Sequence, residues 1–222
     1  MNTLHSIKIQ KTARYACIGT PGPSVKHVWI VLHGYGHLAN YFIKKFEALA
    51  AEDTLILAPE GLHRFYLNGV DGRVGASWMT KEDRLSDIAD YISYLDTLYE
   101  TIITQLKPAT VSCIGFSQGG ATLSRWVAKT ANRIDTVVMW ASVFPPDMNG
   151  TGDMERMKSK KIFFVVGNED EYITASQKKE YLLQMSELGI SYKLFEFEGR
   201  HEIHTPTLLK IKSAIHSPEK LS

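Results

Sequence analysis

The stretch ATVSCIGFSQGGATLSRW (residues 109–126) decides how the rest of the chain is interpreted. It runs from an apolar, strand-like segment through the pentapeptide GFSQG (115–119) into a segment with the pattern of a helix. Small residues on both sides of a serine are typical of a sharp strand-to-helix turn, which lifts the hydroxyl above the carboxyl end of a sheet. Because free N–H groups and the helix dipole stabilise negative charge there, the pattern predicts that Ser117 is a nucleophile. The alternative is a glycine-rich corner with an idle serine.

Apolar runs elsewhere in the chain predict the architecture. They are too continuous to leave one face in water, which is typical of strands covered on both sides in a parallel sheet. Including the strand in the opening stretch, these runs are residues 27–33, 54–59, 110–116, 136–141 and 161–166. We expect two short strands before them, at 6–10 and 13–18, and one after them, at 191–197.

Segments with helical periodicity lie between these strands. We expect helices over residues 38–51, 80–106, 118–131, 175–188 and 206–215. Thr80 and Asp83 are expected to cap the longest helix, Gly189 to close the fourth and Thr205 to cap the last. Strand alternating with helix predicts a three-layer α/β fold with a mostly parallel central sheet and helices on both faces. We expect residues 1–222 to form a single domain whose tail, 217–222, is frayed.

Composition and charge exclude several classes of function. The 222 residues include 25 Lys plus Arg and 24 Asp plus Glu without a long run of either sign, which excludes the pattern of a nucleic-acid binder or a membrane anchor. A small molecule is the expected partner, and a homodimer is left open. The N-terminus lacks the pattern of a signal peptide, and Cys17 and Cys113 do not make a disulfide framework. We therefore expect a cytoplasmic protein.

A serine nucleophile needs a base and an acid that orients the base. On a fold of this type both follow the nucleophile, on loops after later strands. Asp170 comes directly after the last of the five apolar runs and is the expected acid, with Glu169 and Glu171 as alternatives. His201 comes soonest after the final predicted strand and is the expected base, with His204 as the alternative.

The tetrapeptide HGYG (33–36) is the expected site of oxyanion stabilisation. It follows a strand and precedes a helix, and glycine on either side of Tyr35 frees the backbone to point an N–H group inward. We expect the backbone amides of Tyr35 and Gln118 to hold the oxyanion. His33 precedes the nucleophile, against the expected order, and is interpreted as a structural residue that braces the loop. His37 is interpreted as a solvated loop residue.

With these residues in view, the chain resembles the phospholipase/carboxylesterase family of α/β-hydrolases, which includes acyl-protein thioesterases and small bacterial carboxylesterases. The resemblance runs over residues 27–204 and rests on four motifs in order, HGYG, GFSQGGA, GNED and GRHE. It implies a serine hydrolase of carboxylesterase, lysophospholipase or acyl-thioesterase type, which needs neither metal nor organic cofactor. Ser117, Asp170 and His201 would be its catalytic triad.

Two departures from the family pattern lie at the rim of the expected pocket. His37 stands where family members often carry aspartate, and Val143 stands where they often carry glycine. Trp78, Met79 and Phe144 lie on loops expected at the same edge, where they would either line an apolar acyl slot or seal the core. The sequence leaves both alternatives open.

The substrate is predicted only as a class. Residues 147–160 are the one segment with length to spare for a lid, and they are short and polar, so we expect short or medium acyl substrates with an ester or thioester bond. Two rival interpretations remain. One is a catalytically silent member of the fold that binds a small ligand, and the other is a peptidase or lactonase built on the same triad.

Overall fold

Two sheets account for the nine strands in this computed structural model, which describes residues 3–148 and 151–216. The strands are β1 Tyr15–Ile18, β2 His27–Leu32, β3 Thr54–Pro59, β4 His63–Asn68, β5 Asp71–Ser77, β6 Thr110–Phe116, β7 Thr136–Trp140, β8 Lys161–Gly167 and β9 Lys193–Phe197. The central sheet has the order β1-β3-β2-β6-β7-β8-β9, and β4 pairs with β5 as a separate hairpin. Among the described strands of the central sheet, β1 runs antiparallel to its neighbour β3, and the other neighbouring pairs are parallel.

Helices cover both faces of the central sheet. They are α1 Ala39–Phe42, α2 Arg84–Ile102, α3 Gln118–Lys129, α4 Thr151–Lys158, α5 Ala175–Glu187 and α6 Thr205–His216, and a 3-10 helix, Ile43–Leu49, follows α1. One apolar core packs α2, α3 and α5 against the sheet, and a second packs α1, the 3-10 helix and α6 against its other face. The three-layer α/β arrangement predicted from the sequence is confirmed. No helix in the described ranges is long and apolar enough to cross a bilayer.

Two predicted elements near the N-terminus are wrong. Residues 6–10 do not form a strand, and Ile7 and Ile9 are 87% and 81% exposed, because β3 pairs with 15–18 instead. The helix predicted over 38–51 is a short α-helix followed by a 3-10 helix. Its buried residues recur every third position, which matches the three residues per turn of a 3-10 helix. These residues are Ile43, Phe46 and Leu49.

Helix ends differ from prediction where local geometry decides them. Asp83 has φ 46° and gives no capping hydrogen bond, so α2 begins at Arg84 without the predicted cap. Thr174 and Gln177 form a capping box at the start of α5, which the sequence analysis missed. Gly189, predicted to close α5, has φ 69° just after it. Thr205, expected as a cap, is the first residue of α6. The tail at 217–222 lies outside the described residues.

The hairpin formed by β4 and β5 is absent from the sequence prediction. Trp78 and Met79, expected on a loop, follow directly after β5, which ends at Ser77. Phe65 lies opposite Gly75 in the hairpin register, and side chains along β4 alternate between half-buried and exposed. One face of the hairpin therefore rests on the rest of the molecule and the other meets solvent.

Asp96 on α2 links two helices of one layer, and its loss should be costly. Its Oδ1 accepts hydrogen bonds from Trp126 Nε1, Thr130 Oγ1 and Asn132 Nδ2. Asp96→Ala leaves these donors unpaired and should lower the free energy of unfolding by about 3 kcal/mol. Urea unfolding measures the change. Asp90→Ala, at an exposed position of the same helix, is the control and should change it by less than about 0.5 kcal/mol. Equal effects of both substitutions would contradict the prediction.

Candidate active site

Ser117 lies at a strained corner between β6 and α3. Its φ is 53° and its ψ −122°, a backbone conformation that residues with side chains rarely adopt. The corner requires small neighbours, because a Cβ on Gly115 would lie 2.4 Å from Gly119 O and one on Gly119 would lie 2.4 Å from Leu32 O. The Ser117 amide donates to Trp140 O at 2.9 Å, which ties the corner to the end of β7. The predicted sharp turn is therefore present, and Ser117 stands at the N-terminus of α3.

Asp170 and His201 are brought together from loops that follow β8 and β9. His201 Nδ1 lies 2.8 Å from Asp170 Oδ2, and the side chain of Asp170 is fully buried. Asp170 Oδ1 accepts from the amides of Tyr172 and Ile173 at 2.9 and 3.0 Å. With both carboxylate oxygens engaged, the carboxylate is held in one orientation. An ionised carboxylate only accepts hydrogen bonds, so the donor is Nδ1–H and the ring nitrogen left for other partners is Nε2.

The ring of His201 lies beside the serine corner. Its centroid is 4.8 Å from that of Phe116, which directly precedes Ser117, and 4.7 Å from that of Tyr172. Within the described residues the Ser117 hydroxyl has no hydrogen-bond partner, so no hydrogen bond joins it to the imidazole of His201. Catalytic hydrogen bonds often tighten only when substrate is bound.

The alternative acid and base residues have other surroundings. His204 stacks on Phe197 with centroids 4.8 Å apart, and its Nδ1 pairs with Thr207 Oγ1 at 2.9 Å, so it is not directed at Asp170. Glu171 is exposed and accepts the backbone amide of His201 at 3.4 Å, and Glu169 is exposed as well. This geometry favours the pair formed by Asp170 and His201 over its alternatives.

The β2–α1 loop, residues 33–38, runs beside the serine corner. A Cβ on Gly34 would lie 3.1 Å from Ser117 Cβ, so the loop approaches the serine at contact distance. Gly34 O accepts from His33 Nδ1 at 2.7 Å and from the amide of His37 at 3.2 Å. The Tyr35 N–H belongs to the same planar peptide and points the opposite way. In the described part of the chain neither the Tyr35 nor the Gln118 amide donates to an acceptor.

His33 braces the loop, as predicted. It is fully buried, its Nδ1 pairs with Gly34 O, and its Nε2 accepts from the Gly61 amide at 2.9 Å. Its own carbonyl accepts from Trp78 Nε1 at 2.9 Å. Burial lowers the pKa of His33 to about 4, because the charged imidazolium is desolvated. The imidazole is therefore neutral at physiological pH.

The interpretation of His37 as a solvated residue is wrong. Its ring stacks with those of Phe42 and Phe116, at centroid distances of 5.7 and 5.8 Å, and its Nδ1 is buried without a partner among the described residues. Burial lowers the pKa of His37, and nearby Lys45 and His201 lower it further. The sequence gives no signal for the contact with Phe116, since that residue comes from a distant segment.

Burial separates the residues expected at the pocket. Trp78 and Phe144 are 0% and 1% exposed, so their position favours the alternative that they seal the core. Met79 is partly exposed and stays a candidate for the pocket. The side chain of Gln118, which the sequence analysis did not consider, accepts from the Trp78 amide at 3.1 Å and donates to Met79 O at 2.9 Å. It joins the end of the hairpin to the serine corner.

No group of three or more His, Cys, Asp or Glu residues in the described ranges is placed to hold a metal ion.

Comparison with known proteins identifies the family of the chain. The family described as Phospholipase/Carboxylesterase matches residues 13–217. The chain belongs to this family. It is accordingly an ester hydrolase with the α/β-hydrolase fold, as the resemblance implied. No curated protein matches the sequence.

Solved structures share the fold of this family member. Acyl-protein thioesterase 2 from Zea mays has a TM-score of 0.71 and 15% identity, over 92% of this chain and 99% of its own. Esterase PE8 has a TM-score of 0.69 and 18% identity, over 92% and 100%. The carboxylesterase from Bacillus cereus has a TM-score of 0.67 and 14% identity, over 91% and 93%. At such low identities the likeness shows the fold alone.

The buried His33 should make the protein less stable in acid. An unfolded histidine has a pKa of about 6.5, whereas His33 in the folded state has one of about 4. Between these values the unfolded state binds more protons, so lowering the pH from about 6.5 to about 4 should cost about 3 kcal/mol of unfolding free energy. Above pH 6.5 this contribution is constant. Urea unfolding across this pH range measures it.

A His33→Asn variant is the control, because an amide can donate and accept but does not titrate. Its free energy of unfolding should be lower than that of the wild type at neutral pH. It should not show the loss of about 3 kcal/mol expected between about pH 6.5 and about pH 4. If both proteins lose the same unfolding free energy over this pH range, groups other than His33 cause the loss.

Proposed function

We propose that the chain is a serine hydrolase that cleaves carboxylic ester or thioester bonds through Ser117, His201 and Asp170, with an acyl-enzyme intermediate. The observation that supports this most is the 2.8 Å hydrogen bond between His201 Nδ1 and a fully buried Asp170, beside a serine with positive φ. A buried carboxylate is costly without partners, and this one has an imidazole and two amides.

Acylation begins when His201 Nε2 takes the hydroxyl proton as Ser117 Oγ bonds to the carbonyl carbon. Asp170 keeps the imidazole in the Nδ1–H tautomer and stabilises its cation. The tetrahedral intermediate collapses, the bond to the alcohol or thiol breaks, and His201 returns the proton to that leaving group. A water molecule then attacks the acyl-enzyme by the same route and releases the carboxylic acid, which regenerates the Ser117 hydroxyl.

The negative charge of the intermediate would rest on the amides of Tyr35 and Gln118. Both lack an acceptor within the described residues, and the Gln118 amide is the first of α3, where the helix dipole favours an anion. Donors fixed before the reaction need no reorganisation during it, and loss of one typically lowers the rate by about 10²–10³.

The substrate proposed is a small molecule with a short or medium acyl chain. Structural relatives include proteins named as esterase, carboxylesterase and acyl-protein thioesterase, so both oxygen and sulfur leaving groups are candidates. Residues 147–160, the segment with length to spare for a lid, contain the short helix α4. Both cysteines are free thiols, which suits the proposed cytoplasmic setting. Matched ester, thioester, amide and lactone substrates separate this proposal from a peptidase or lactonase.

Ser117→Ala should abolish turnover while leaving the fold intact. Removing the nucleophile should lower kcat for a p-nitrophenyl ester by about 10⁴–10⁶. It should also prevent covalent labelling by a fluorophosphonate probe, which separates an enzyme from a silent ligand-binding protein. Ser93→Ala, at an exposed position of α2, is the control and should be labelled like the wild type. A Ser117→Ala protein that keeps a tenth of the wild-type rate would refute the proposal.

His201→Gln and His204→Gln test which histidine is the base. His201→Gln should lower kcat by about 10⁴–10⁶, because glutamine cannot accept the hydroxyl proton. His204→Gln should retain most of the rate, because His204 contacts Phe197 and Thr207. Steady-state kinetics measure both effects, on variants whose melting temperatures match that of the wild type. The reverse order of activities would assign the base to His204.

A further inference from the structure

The geometry points to the β4–β5 hairpin as the element that holds the β2–α1 loop in the shape needed for oxyanion binding, with Phe65 and Gly75 as positioning residues. This inference rests on the proposed function, in which the Tyr35 amide binds the oxyanion. It assigns a catalytic consequence to a hairpin that contains none of the proposed triad.

Backbone hydrogen bonds join the hairpin to the loop. The Gly36 amide donates to Ala76 O at 2.9 Å, and the Ala76 amide donates to His37 O at 3.2 Å. The loop thus pairs with β5 through a single antiparallel bridge between His37 and Ala76. The Gly36 amide follows directly after Tyr35, so this bridge fixes the peptide plane next to the one that carries the Tyr35 N–H.

The missing side chain of Gly75 makes this pairing sterically feasible. A Cβ on Gly75 would lie 2.6 Å from Gly36 O and 2.7 Å from Gly36 Cα. Such a contact is closer than real Cβ atoms allow, and both opposing atoms are backbone, so the loop would have to move. On the loop side, a Cβ on Gly36 would lie 3.1 Å from Leu67 Cδ2, and Gly36 has φ 77°. Hairpin and loop are therefore in van der Waals contact on both sides of the bridge.

An aromatic pair completes the contact. Phe65 lies opposite Gly75 in the hairpin, and its ring centroid is 5.0 Å from that of Tyr35 at an interplanar angle of 32°. Tyr35 is nevertheless 60% exposed, so the pair does not serve to fill the core. On the opposite face of β4 the neighbouring Tyr66 is 49% exposed and makes no ring contact in the described structure.

The hairpin is itself anchored to the helical layer. His63, on the same face as Phe65, places its Nε2 2.9 Å from Asp87 Oδ1 on α2. A two-stranded hairpin is marginally stable by itself, so this pair and the loop contact hold it in place. The loop is therefore clamped between the serine corner, through Gly34, and a hairpin fixed to α2.

The experiment compares Gly75→Ala, Phe65→Ala, Phe65→Tyr and the control Tyr66→Ala in the full-length protein. Gly75→Ala should lower kcat by about 10²–10³ at nearly constant KM, the cost of losing one oxyanion donor. Phe65→Ala should lower kcat by about 3- to 10-fold, equivalent to one aromatic pair, and Phe65→Tyr should restore it. Tyr66→Ala should stay within about twofold of the wild type, as expected for an exposed position away from the loop.

Inhibition by a trifluoromethyl ketone distinguishes positioning from general damage. This inhibitor adds to a serine as a tetrahedral oxyanion, so its Ki should rise by the same factor by which kcat/KM falls in Gly75→Ala and Phe65→Ala. A variant that merely loses stability would change its melting temperature without this parallel change. If Gly75→Ala does not fold, the comparison of Phe65→Ala with Phe65→Tyr tests the inference.

Folded Gly75→Ala and Phe65→Ala proteins with wild-type kcat and Ki would overturn the inference. A rise in KM with unchanged kcat and Ki would also overturn it, because the hairpin would then contact the substrate without affecting oxyanion binding. Both outcomes presuppose a wild-type protein that is labelled at Ser117 by fluorophosphonate. Absence of that labelling would contradict the proposed function and this inference together.

Discussion

Direct contact between backbones at the carboxyl edge of the sheet is the constraint on which the site depends. Gly115 and Gly119 meet with no space for a Cβ, and Gly119 lies against the carbonyl of Leu32 at the end of β2. A Cβ on Gly120 would lie 2.1 Å from Ser142 Oγ, beyond the end of β7. Three neighbouring parallel strands therefore converge on one corner, and parallel strands place all their carboxyl ends on the same edge. Any larger residue at these glycines would separate the loops that carry the proposed chemistry.

The same kind of contact holds the proposed acid and base. A Cβ on Gly167 would lie 2.3 Å from Gly199 O, and the amide of Glu169 donates to that same carbonyl at 3.0 Å. The Gly199 amide in turn donates to Asn168 Oδ1 at 3.1 Å. The loops after β8 and β9 are thus joined before either reaches its functional side chain. This explains how two residues 31 positions apart reach a 2.8 Å hydrogen bond.

The sequence predicts those parts of the molecule whose cause is local. Continuous apolar runs predict the buried strands, and the small residues around Ser117 predict the turn, because both depend on neighbours along the chain. The hairpin was missed although its sequence has a signal, since Asn68-Gly69 is a typical hairpin turn. Its contact with Tyr35 could not be predicted, because pairing between distant backbones leaves no periodic pattern.

At residues 6–10 the sequence predicts a strand that the structure does not form. Their alternating isoleucines have strand propensity, but propensity does not supply a partner, and the edge of the sheet next to β3 is taken by 15–18. Trp78 and Phe144 show that the sequence also does not decide which apolar loop residues are buried in the core. An apolar residue at a loop near the site can face a pocket or the interior, and only the packing of other elements decides which.

Three histidines near the serine corner show how surroundings, and not residue type, divide the proposed roles. Within the described residues His33 and His37 have no carboxylate partner, and burial lowers the pKa of both, so they are neutral at physiological pH. A cation at His37 would oppose an imidazolium at His201, because the two rings are close enough for their charges to interact. Among the described residues, His201 is the one of the three that pairs with a buried carboxylate, at 2.8 Å from Asp170 Oδ2. Of the three, His201 is therefore the ring that the proposed mechanism uses to take and return the proton at Ser117.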